Sequence, residues 1–363
     1  MKTNINVEIS SDLEDKAWDD FLVRNNGHHV QSSFWAQVKA ELGWKARRVK
    51  IFESGEIVAG AQIMIKKLSP FVSIGYVPKG PVGSSTHNAE CALILRELVK
   101  LSKSEGIRLI AVQPPQFNED MDDHYNALGF GKSWLELVPT ATIYIDLTAS
   151  EKGLLSQMKR QTRQNINRSF REGIQIREGG PDDICTFYRN HLETSRRQNF
   201  KPYPQEYFEK MWEVMANHGS LVAIIAEFEN ETVSSLLIVP FGNTVIAKVL
   251  GWSGNFPEKR PNDAAFWGAI CWASNHNYEW FDMGGIRRQS AEAILAGSSL
   301  PDESRSSPDF FKLGFGGQIK LMPQSYDYVP GKSLNKLYHK FFDNDDRKES
   351  FYSAFDRVRR RIG

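Results

Sequence analysis

Two glycine-rich stretches decide how this sequence is interpreted: Trp280-Phe281-Asp282-Met283-Gly284-Gly285-Ile286 and Phe310-Phe311-Lys312-Leu313-Gly314-Phe315-Gly316-Gly317. The first predicts the end of a short buried strand that is stopped by two glycines. The second predicts one apolar helical turn that ends in a glycine-rich turn. Its single cation, Lys312, suits binding of a phosphate or a developing oxyanion, because a charge near apolar surface interacts more strongly than in water. The alternative is a lysine whose stem lies on the surface with its ammonium group in solvent.

The spacing Asp-x-Gly-Gly, then a loop, then Phe-Lys-x-Gly-Phe-Gly-Gly resembles the Fem-type peptidyltransferases, the FemABX family. Enzymes of that family take an amino acid from aminoacyl-tRNA and attach it to the stem peptide of a peptidoglycan precursor. The resemblance continues at residues 31–39, 76–82, 157–166 and 251–254. The motifs therefore occur in matching order from residue 31 to residue 317.

Size and composition indicate an ordinary globular protein. The chain has 363 residues, which predicts roughly two domains at the usual ~100–200 residues each. Its net charge of +1 excludes the global basic field of many nucleic-acid binders. Its three cysteines are far apart, so neither a disulfide framework nor a zinc site is indicated. No signal peptide and no apolar run of ~20 residues is visible, so the cytoplasm is the expected location.

The remaining apolar patterns predict a series of strands and helices. Strands are expected at 4–9, 45–52, 57–67, 71–76, 108–112, 137–147, 221–228, 232–241, 244–250, 279–281 and 319–322. Helices are expected at 11–24, 33–42, 88–104, 125–130, 150–170, 181–195, 204–217, 262–275 and 334–361. Residues 287–307 are polar and are expected to form a loop.

The stretch Gln31-Ser32-Ser33-Phe34-Trp35-Ala36-Gln37-Val38-Lys39 predicts a helix capped by Ser33. A solvated helical lysine is the ordinary interpretation of Lys39. The resemblance implies instead that Lys39 and Trp35 belong to the precursor site, with the lysine holding the precursor's phosphates. Gln113 stands where many relatives carry an acidic residue before a proline, so a role for that carboxylate is in doubt here.

The predicted helix at 150–170 is the most concentrated basic segment of the chain, with an interruption near Gln161-Thr162. Its cations include Lys159, Arg160, Arg163 and Arg168, with few balancing acids. A phosphate backbone is the natural partner of such a surface, so these four residues are candidate tRNA-binding residues. A solvated helix face is the alternative.

The resemblance implies further precursor-binding residues in the second half of the chain. Thr194 and either Arg196 or Arg197 fall where relatives use a Thr and an Arg to grip the pyrophosphate, and either arginine is chemically suitable. Tyr207 is a further candidate substrate-binding residue. A pair of surface arginines at a helix end is the alternative. Trp252 matches a position where relatives have an aromatic residue. Lys248 and Val249 replace tyrosines that are common in relatives, which puts aromatic contacts there in doubt.

Both halves of the chain show helices, then a mixed or antiparallel set of strands, then a helix and a strand. This is the order of an N-acetyltransferase-like (GNAT-like) α/β unit, and the Fem-type fold is two such units in tandem. The resemblance therefore predicts an α/β fold with mixed sheets flanked by helices. One domain would be residues 1–147, with 322–363 packed back on it, and the other residues 148–321. No sustained heptads indicate a coiled-coil arm.

The implied reaction is aminolysis of the aminoacyl ester of charged tRNA by an amine of the stem peptide, without cofactor or metal. Lys312, Phe311 and Asp282 are the candidate catalytic residues, and Lys312 is assigned to charge stabilisation near the donor ester or its terminal adenosine. Asp282 is a candidate for taking the amine's proton, although a carboxylate beside two glycines also suits organising the turn. The implied partners are aminoacyl-tRNA and UDP-MurNAc-pentapeptide or lipid II, and peripheral contact with the inner membrane face stays open.

Two other classes of protein are weighed against this one. An acyl-CoA-dependent GNAT N-acyltransferase, acting on an amino sugar or peptide amine, would need a glycine-rich loop at a helix N-terminus to cradle pyrophosphate. The nearest match, Lys79-Gly80-Pro81-Val82-Gly83, contains a proline that removes a donor. A non-catalytic precursor- or RNA-binding protein would keep the basic helix yet tolerate loss of Lys312.

Overall fold

The computed structural model describes residues 5–70, 72–83, 88–115, 122–133, 138–300 and 307–342. The chain divides into two compact units. Unit 1 is Met1–Val138 with Met322–Gly363, and unit 2 is Pro139–Leu321.

The described ranges contain strands and α-helices in alternation. The strands are β1 (Ile5–Ser10), β2 (Trp44–Glu53), β3 (Glu56–Ser69), β4 (Val72–Val77), β5 (Val82–Gly83), β6 (Ile107–Val112), β7 (Gly131–Lys132), β8 (Ala141–Asp146), β9 (Gln175–Glu178), β10 (Val222–Phe228), β11 (Glu231–Phe241), β12 (Thr244–Trp252), β13 (Trp280–Asp282), β14 (Gln318–Leu321) and β15 (Tyr326–Tyr328). The helices are α1 (Lys16–Arg24), α2 (Ser33–Ala40), α3 (Asn88–Ser104), α4 (Asp122–Ala127), α5 (Glu151–Gln157), α6 (Arg160–Arg171), α7 (Asp183–Gln198), α8 (Gln205–Met215), α9 (Pro261–Asn275), α10 (Arg288–Leu295), α11 (Pro308–Leu313) and α12 (Lys332–Phe342).

The sheet of unit 1 has the order β1-β2-β3-β4-β6-β15-β7, with β5 paired to β3. Among its described strands, β4 and β6 form the only parallel pair, and α3 connects them. A parallel connection needs such a crossover, and α3 buries Ile94, Leu95 and Leu98 against the sheet. The strand β15 enters this sheet from the far end of the chain and pairs with β6 and β7.

Helix α12 is tied to β15 and to the turn before β7 by polar contacts. The Tyr338 hydroxyl donates to Asp327 Oδ2 at 2.8 Å, and Asn335 Nδ2 donates to the Gly129 carbonyl at 2.6 Å. Asp327 is fully buried, and burial raises the pKa of its carboxyl to about 7 despite hydrogen bonds from Ser133 and Tyr338. Unit 1 therefore carries a buried carboxyl group that titrates near neutral pH.

The sheet of unit 2 has the order β14-β8-β13-β12-β11-β10-β9. Within this described sheet β12 and β13 are the one parallel pair, and α9 connects them. The buried face of α9 is rich in alanine, with Ala264, Ala265 and Ala269 inaccessible to solvent, so the helix lies close to the strands. The two units thus repeat one arrangement: an antiparallel meander, a crossover helix and a parallel strand.

Three features of the structure correct the sequence-based expectations. The boundary between the units lies before β8, not at 147/148, because β8 pairs with β13 and β14 in the sheet of unit 2. The expected loop at 287–307 contains α10, whose buried residues are Ser290 and Ala291; residues 301–306 lie outside the described part. The interruption of the basic segment, expected near Gln161-Thr162, falls at Met158-Lys159, between α5 and α6.

Smaller differences concern helix starts and short strands. Ser32, not Ser33, caps α2 by accepting from the Trp35 amide at 3.1 Å. The helix expected from residue 11 begins at Lys16, with Asp15 as its cap. The strands β7, β9 and β15 have two to four residues, too few to give a clear alternating pattern. The predicted C-terminal helix is seen at Lys332–Phe342, and the rest of that prediction lies outside the described residues.

Candidate active site

Unit 2 contains a cavity of ≈ 390 Å³ between β12, α7 and α11. Four of the candidate catalytic and substrate-binding residues line it: Thr194, Trp252, Phe311 and Lys312. The other lining residues are His191, Gln198, Phe200, Leu236, Ala247, Lys248, Val249, Leu250, Asn262, Phe266, Met283, Ser307 and Pro308. The volume is that of a small-molecule site, with apolar walls and a few polar groups.

The cavity lies where two parallel strands part. β12 and β13 pair only from Thr244↔Trp280 to Ile246↔Asp282, while β12 continues to Trp252. A register shift against β11 then leaves Lys248 as an extra residue between Ala247 and Val249. A bulge of this kind bends a strand and re-aims its side chains. The part of β12 beyond its pairing with β13, including Lys248, forms a wall of the cavity.

Lys312 lies at the cavity wall with its ammonium group fixed. Its Nζ donates to the Gly285 carbonyl at 2.8 Å. Burial lowers the pKa of Lys312, and the nearby carboxylates of Asp282 and Asp309 oppose that effect. Gly284 has φ +77°, and a Cβ there would lie 2.8 Å from the Ala247 carbonyl oxygen and 3.3 Å from Lys312 Nζ. Only glycine therefore allows this approach of the turn to β12 and Lys312.

Phe311 forms the apolar side of the same wall. Its ring lies 5.2 Å from that of Phe266 and 5.3 Å from that of Phe315, both in edge-to-face geometry. The glycines that follow pack against backbone, because a Cβ at Gly316 would lie 2.5 Å from the Gln157 carbonyl oxygen and one at Gly317 2.6 Å from that of Tyr144. These glycines serve close packing of the turn.

Asp282 is buried behind the cavity and does not line it. Its Oδ1 accepts hydrogen bonds from the Thr142 hydroxyl and, at 2.9 Å, from the Gly284 amide. Asp309 plays a similar part for α11: its Oδ2 accepts from Arg287 Nε at 2.7 Å and from the Ser290 hydroxyl at 2.8 Å. Both carboxylates are thus placed to position the elements around Lys312.

The structure distinguishes between the two adjacent arginines of α7. The Arg197 guanidinium stacks over the Trp252 ring at 4.5 Å and donates to the carbonyls of Trp252 and, at 3.3 Å, of Ser253. Arg196 pairs with Glu193 instead, and its side chain is 70% exposed. Thr194 joins the cluster by accepting from the Trp252 amide at 2.8 Å. Tyr207 is in the interior, stacked on Tyr203 at 4.4 Å, and does not line the cavity.

The basic segment divides into two bound and two exposed cations. Arg163 donates to the carbonyls of Leu155, Ser156 and Met158 at the end of α5, and Arg168 pairs with Glu172 at 2.7 Å. The other two predicted residues, Lys159 and Arg160, are exposed at the start of α6. Lys159 Nζ lies 5.0 Å from the Phe310 ring, beside the helix that carries Lys312.

In unit 1, Lys39 and Lys66 approach one aromatic ring. Their Nζ atoms lie 5.8 Å and 5.7 Å from the centre of Trp44. Burial, with the charge of Lys66 as a second cause, lowers the pKa of Lys39 to about 8. Trp35 is buried, with its ring edge-to-face against His29 at 5.3 Å. Neither Trp35 nor Lys39 lines the cavity of unit 2.

Gln31, the first residue of the stretch at 31–39, has a structural role. Its Nε2 donates to the carbonyls of Gln62 and Pro78, at 3.0 and 2.6 Å, and its Oε1 accepts from the Gln62 amide at 2.7 Å. The glutamine thus joins the segment before α2 to β3 and to the turn after β4.

Several lining residues were not identified from the sequence. His191 and Gln198 lie on α7, one turn to either side of Thr194, and Asn262 begins α9. Helical spacing from Thr194 could have suggested His191, since residues three apart share a face. Nothing in the sequence pattern marks the bulge at Lys248.

The chain is similar to known proteins over both units. The model of the FemAB family matches residues 13–128, and that of an acetyltransferase (GNAT) domain matches residues 156–292. The lipid II:glycine glycyltransferase of Staphylococcus haemolyticus is 25% identical over 220 residues, which are 57% of this chain and 52% of that protein. The chain thus spans about half the length of the curated relatives it matches.

Solved structures show the same fold. The crystal structure of FemX aligns with a TM-score of 0.77 at 17% identity, covering 91% of this chain and 99% of that one. A tandem GNAT protein from the clavulanic acid biosynthesis pathway aligns with a TM-score of 0.51 at 9% identity, covering 90% and 99%.

Fold and site together define a tandem GNAT-like α/β protein, with two mixed sheets flanked by helices, as the sequence predicted. Within that class the chain is similar to the FemAB family over residues 13–128 and to lipid II:glycine glycyltransferases over about half of their length. In the ranges that the structure describes, none of the helices combines the length and the apolar character needed to span a bilayer.

Proposed function

We propose that this protein is an aminoacyltransferase that moves an amino acid from aminoacyl-tRNA to the stem-peptide amine of a peptidoglycan precursor. The observation that carries the proposal is Lys312, a cation held at the wall of a cavity by the Gly285 carbonyl, beside Phe311. The similarity to lipid II:glycine glycyltransferases favours a lipid-linked acceptor and glycine as the transferred residue.

The reaction needs no covalent intermediate between substrate and protein. The acceptor amine attacks the ester carbonyl carbon and forms a carbon–nitrogen bond, the carbon–oxygen bond to the ribose breaks, and the amine's proton passes to the ribose oxygen. A tetrahedral oxyanion forms on the way, and a fixed ammonium group such as that of Lys312 stabilises it. The role of Asp282 is then to hold the Gly284-Gly285 turn, because its Oδ1 accepts hydrogen bonds from the Thr142 hydroxyl and the Gly284 amide.

The cationic groups suit two anionic substrates. Arg197, with Thr194 and Trp252, forms a cluster at the cavity that suits the precursor's phosphates, and Lys39 supplies a second cation in unit 1. Lys159 and Arg160 are exposed at the start of α6 and are proposed to contact tRNA. A lipid-linked acceptor would also require peripheral contact with the membrane face.

The loop between β12 and α9 argues against acyl-CoA as the donor. A pyrophosphate cradle needs several free backbone amides before the helix. Here the amide of Ser253 donates to the Val233 carbonyl, that of Asn255 to the Ser253 hydroxyl and that of Lys259 to the Phe256 carbonyl. Pro257 and Pro261 have no amide hydrogen to give.

Arg197→Ala is expected to raise the Kd for the precursor roughly tenfold, since a charge-assisted hydrogen bond contributes about 1.5–3 kcal/mol. Arg196→Ala is the matched control and should change it less than twofold, because Arg196 pairs with Glu193 and is exposed. Titration calorimetry with UDP-MurNAc-pentapeptide measures both. Equal losses in the two variants would remove Arg197 from the proposed phosphate site.

The proposal is tested by mixing the purified protein with a panel of radiolabelled aminoacyl-tRNAs and either UDP-MurNAc-pentapeptide or lipid II. We expect labelled precursor to appear with one aminoacyl-tRNA, and only when the ester is intact. Turnover of acyl-CoA on an amine, without transfer from any tRNA, would identify a GNAT N-acyltransferase instead. Retained binding of precursor or tRNA with no turnover of either kind would leave a non-catalytic binding protein.

A further inference from the structure

His191 on α7 lines the cavity but has no part in the chemistry described above. Its ring is fixed among aromatic side chains: it stacks on Phe187 at 5.7 Å and lies 5.2 Å from Phe208 and 5.4 Å from Phe200. The residue is only 5% exposed. The orientation of the imidazole ring is therefore fixed by packing, and the ring cannot rotate toward another hydrogen-bond partner.

The hydrogen-bonding state of this ring follows from its neighbours. Nδ1 lies 3.4 Å from the Leu250 carbonyl oxygen, which can only accept, so the proton of the neutral ring is placed on Nδ1. Nε2 then carries a lone pair. Burial lowers the pKa of His191, which keeps the ring neutral at physiological pH.

Within the described part of the chain, Nε2 of His191 has no hydrogen-bond partner. A buried polar atom left without a partner costs about 1–3 kcal/mol, and proteins usually avoid that cost. Because His191 lines a cavity, a ligand that donates a hydrogen bond to Nε2 would explain why this atom has no partner in the protein.

The charges of the cavity restrict what that donor can be. None of the described residues that line it is an aspartate or glutamate, whereas Lys248 and Lys312 both are lining residues. An ammonium group would meet two cations, and the carboxylates nearest Lys312, those of Asp282 and Asp309, do not line the cavity and accept hydrogen bonds within the protein. A neutral hydroxyl or amide N–H, carried by an anionic molecule, fits both the lone pair and the charge.

We propose that Nε2 of His191 accepts a hydrogen bond from a hydroxyl or amide N–H of a phosphorylated ligand that occupies this cavity. The inference deepens the proposed function and rests on it for the choice of ligand. Both substrates named there combine phosphate with such donors: the nucleotide-linked muramyl peptide and the terminal nucleotide of aminoacyl-tRNA. His191 is thus a specificity-determining residue that selects ligands with a donor at one position.

The first test is direct observation of the ring by long-range 1H–15N NMR of the full-length protein labelled at histidine. His191→Phe identifies the resonance by its loss. The two probes are UDP-MurNAc-pentapeptide and adenosine 5′-phosphate carrying glycine in a stable 3′-amide linkage. We expect the Nε2 resonance to move upfield on saturation with one probe, which also tells the two sources apart. An unchanged resonance with both probes bound overturns the proposal.

The second test measures affinity. His191→Phe keeps an aromatic ring against Phe187 and Phe208 but removes the acceptor, so the Kd of the responding probe should rise about fivefold to tenfold. His276→Phe is the control, because His276 is exposed, stacks on half-buried Trp272 and does not line the cavity. The Kd of this variant should equal that of the parent protein. An equal Kd in all three proteins overturns the proposal.

The two tests separate this inference from the proposed function. If His191→Phe does not fold, the resonance is assigned by substituting the other seven histidines one at a time, and the NMR result on the parent protein then decides. A shifted resonance together with no aminoacyl transfer supports the role of His191 and contradicts only the proposed function.

Discussion

Lys312→Met is expected to lower kcat for aminoacyl transfer by roughly 10²–10³-fold, the usual cost of removing one oxyanion-stabilising donor. Methionine keeps the length and the apolar contacts of the stem but removes the ammonium group held by the Gly285 carbonyl. Burial lowers the pKa of Lys312, so burying its charge costs free energy in the folded state. The variant removes that desolvation cost and should not be less stable than the parent protein. Single-turnover transfer from aminoacyl-tRNA measures the rate, and thermal unfolding checks the fold.

Lys320→Met is the matched control, since Lys320 lies on β14, just beyond the glycine turn, and does not line the cavity. It should transfer at the parental rate. If Lys312→Met kept more than about a tenth of the parental kcat, the oxyanion role would be lost and a binding role would take its place.

Asp327→Asn is expected to change the pH dependence of folding. The pKa of this buried carboxyl is raised from 3.8 to about 7, so the folded state binds its proton more tightly than the unfolded state does. The contribution of the protonated carboxyl to the free energy of unfolding is therefore fully present below pH 3.8. It is lost as the pH rises through about 7, which lowers the free energy of unfolding by up to ~4 kcal/mol. Asparagine carries no charge at any pH, so above pH 7 the variant should be more stable than the parent protein by an amount of that order.

Chemical denaturation of both proteins at pH 5 and pH 8 measures this difference. Other groups titrate in the same range, so the informative quantity is the change in the gap between variant and parent with pH. Asp20→Asn, at an exposed side chain paired with Lys16, should show no such change. A constant gap between Asp327→Asn and the parent across these pH values would show that Asp327 is already neutral or well solvated.

Local sequence signals were sufficient wherever one pattern persisted over many residues. Helices such as α3 and α9 and the long strands β11 and β12 were predicted within a few residues, because apolar spacing and turn residues agree there. Phe311 and Lys312 were also singled out from the sequence, because a lysine among apolar residues before a glycine-rich turn suits a binding site, with a lysine whose ammonium group is in solvent as the alternative.

The rest of the site depends on contacts that lie far apart in the chain. Arg197 could not be chosen over Arg196 from the sequence, because the choice rests on Trp252 at the end of another element. The unsatisfied edge of His191 is set by the Leu250 carbonyl, and the bulge at Lys248 by register against β11. Helix α10 was missed because only its inner face is apolar, and polar residues dominate the rest.

The late position of β15 in the chain has a consequence for biosynthesis. Tyr326–Tyr328 leaves the ribosome only after all of Pro139–Leu321, yet it belongs between β6 and β7 in the sheet of unit 1. A nascent chain therefore completes its second unit before its first, and until then the backbone of β6 is an open edge that could pair with another chain. A product whose translation stops before Tyr326 can never close that edge, so the first unit is finished only in chains translated through this strand.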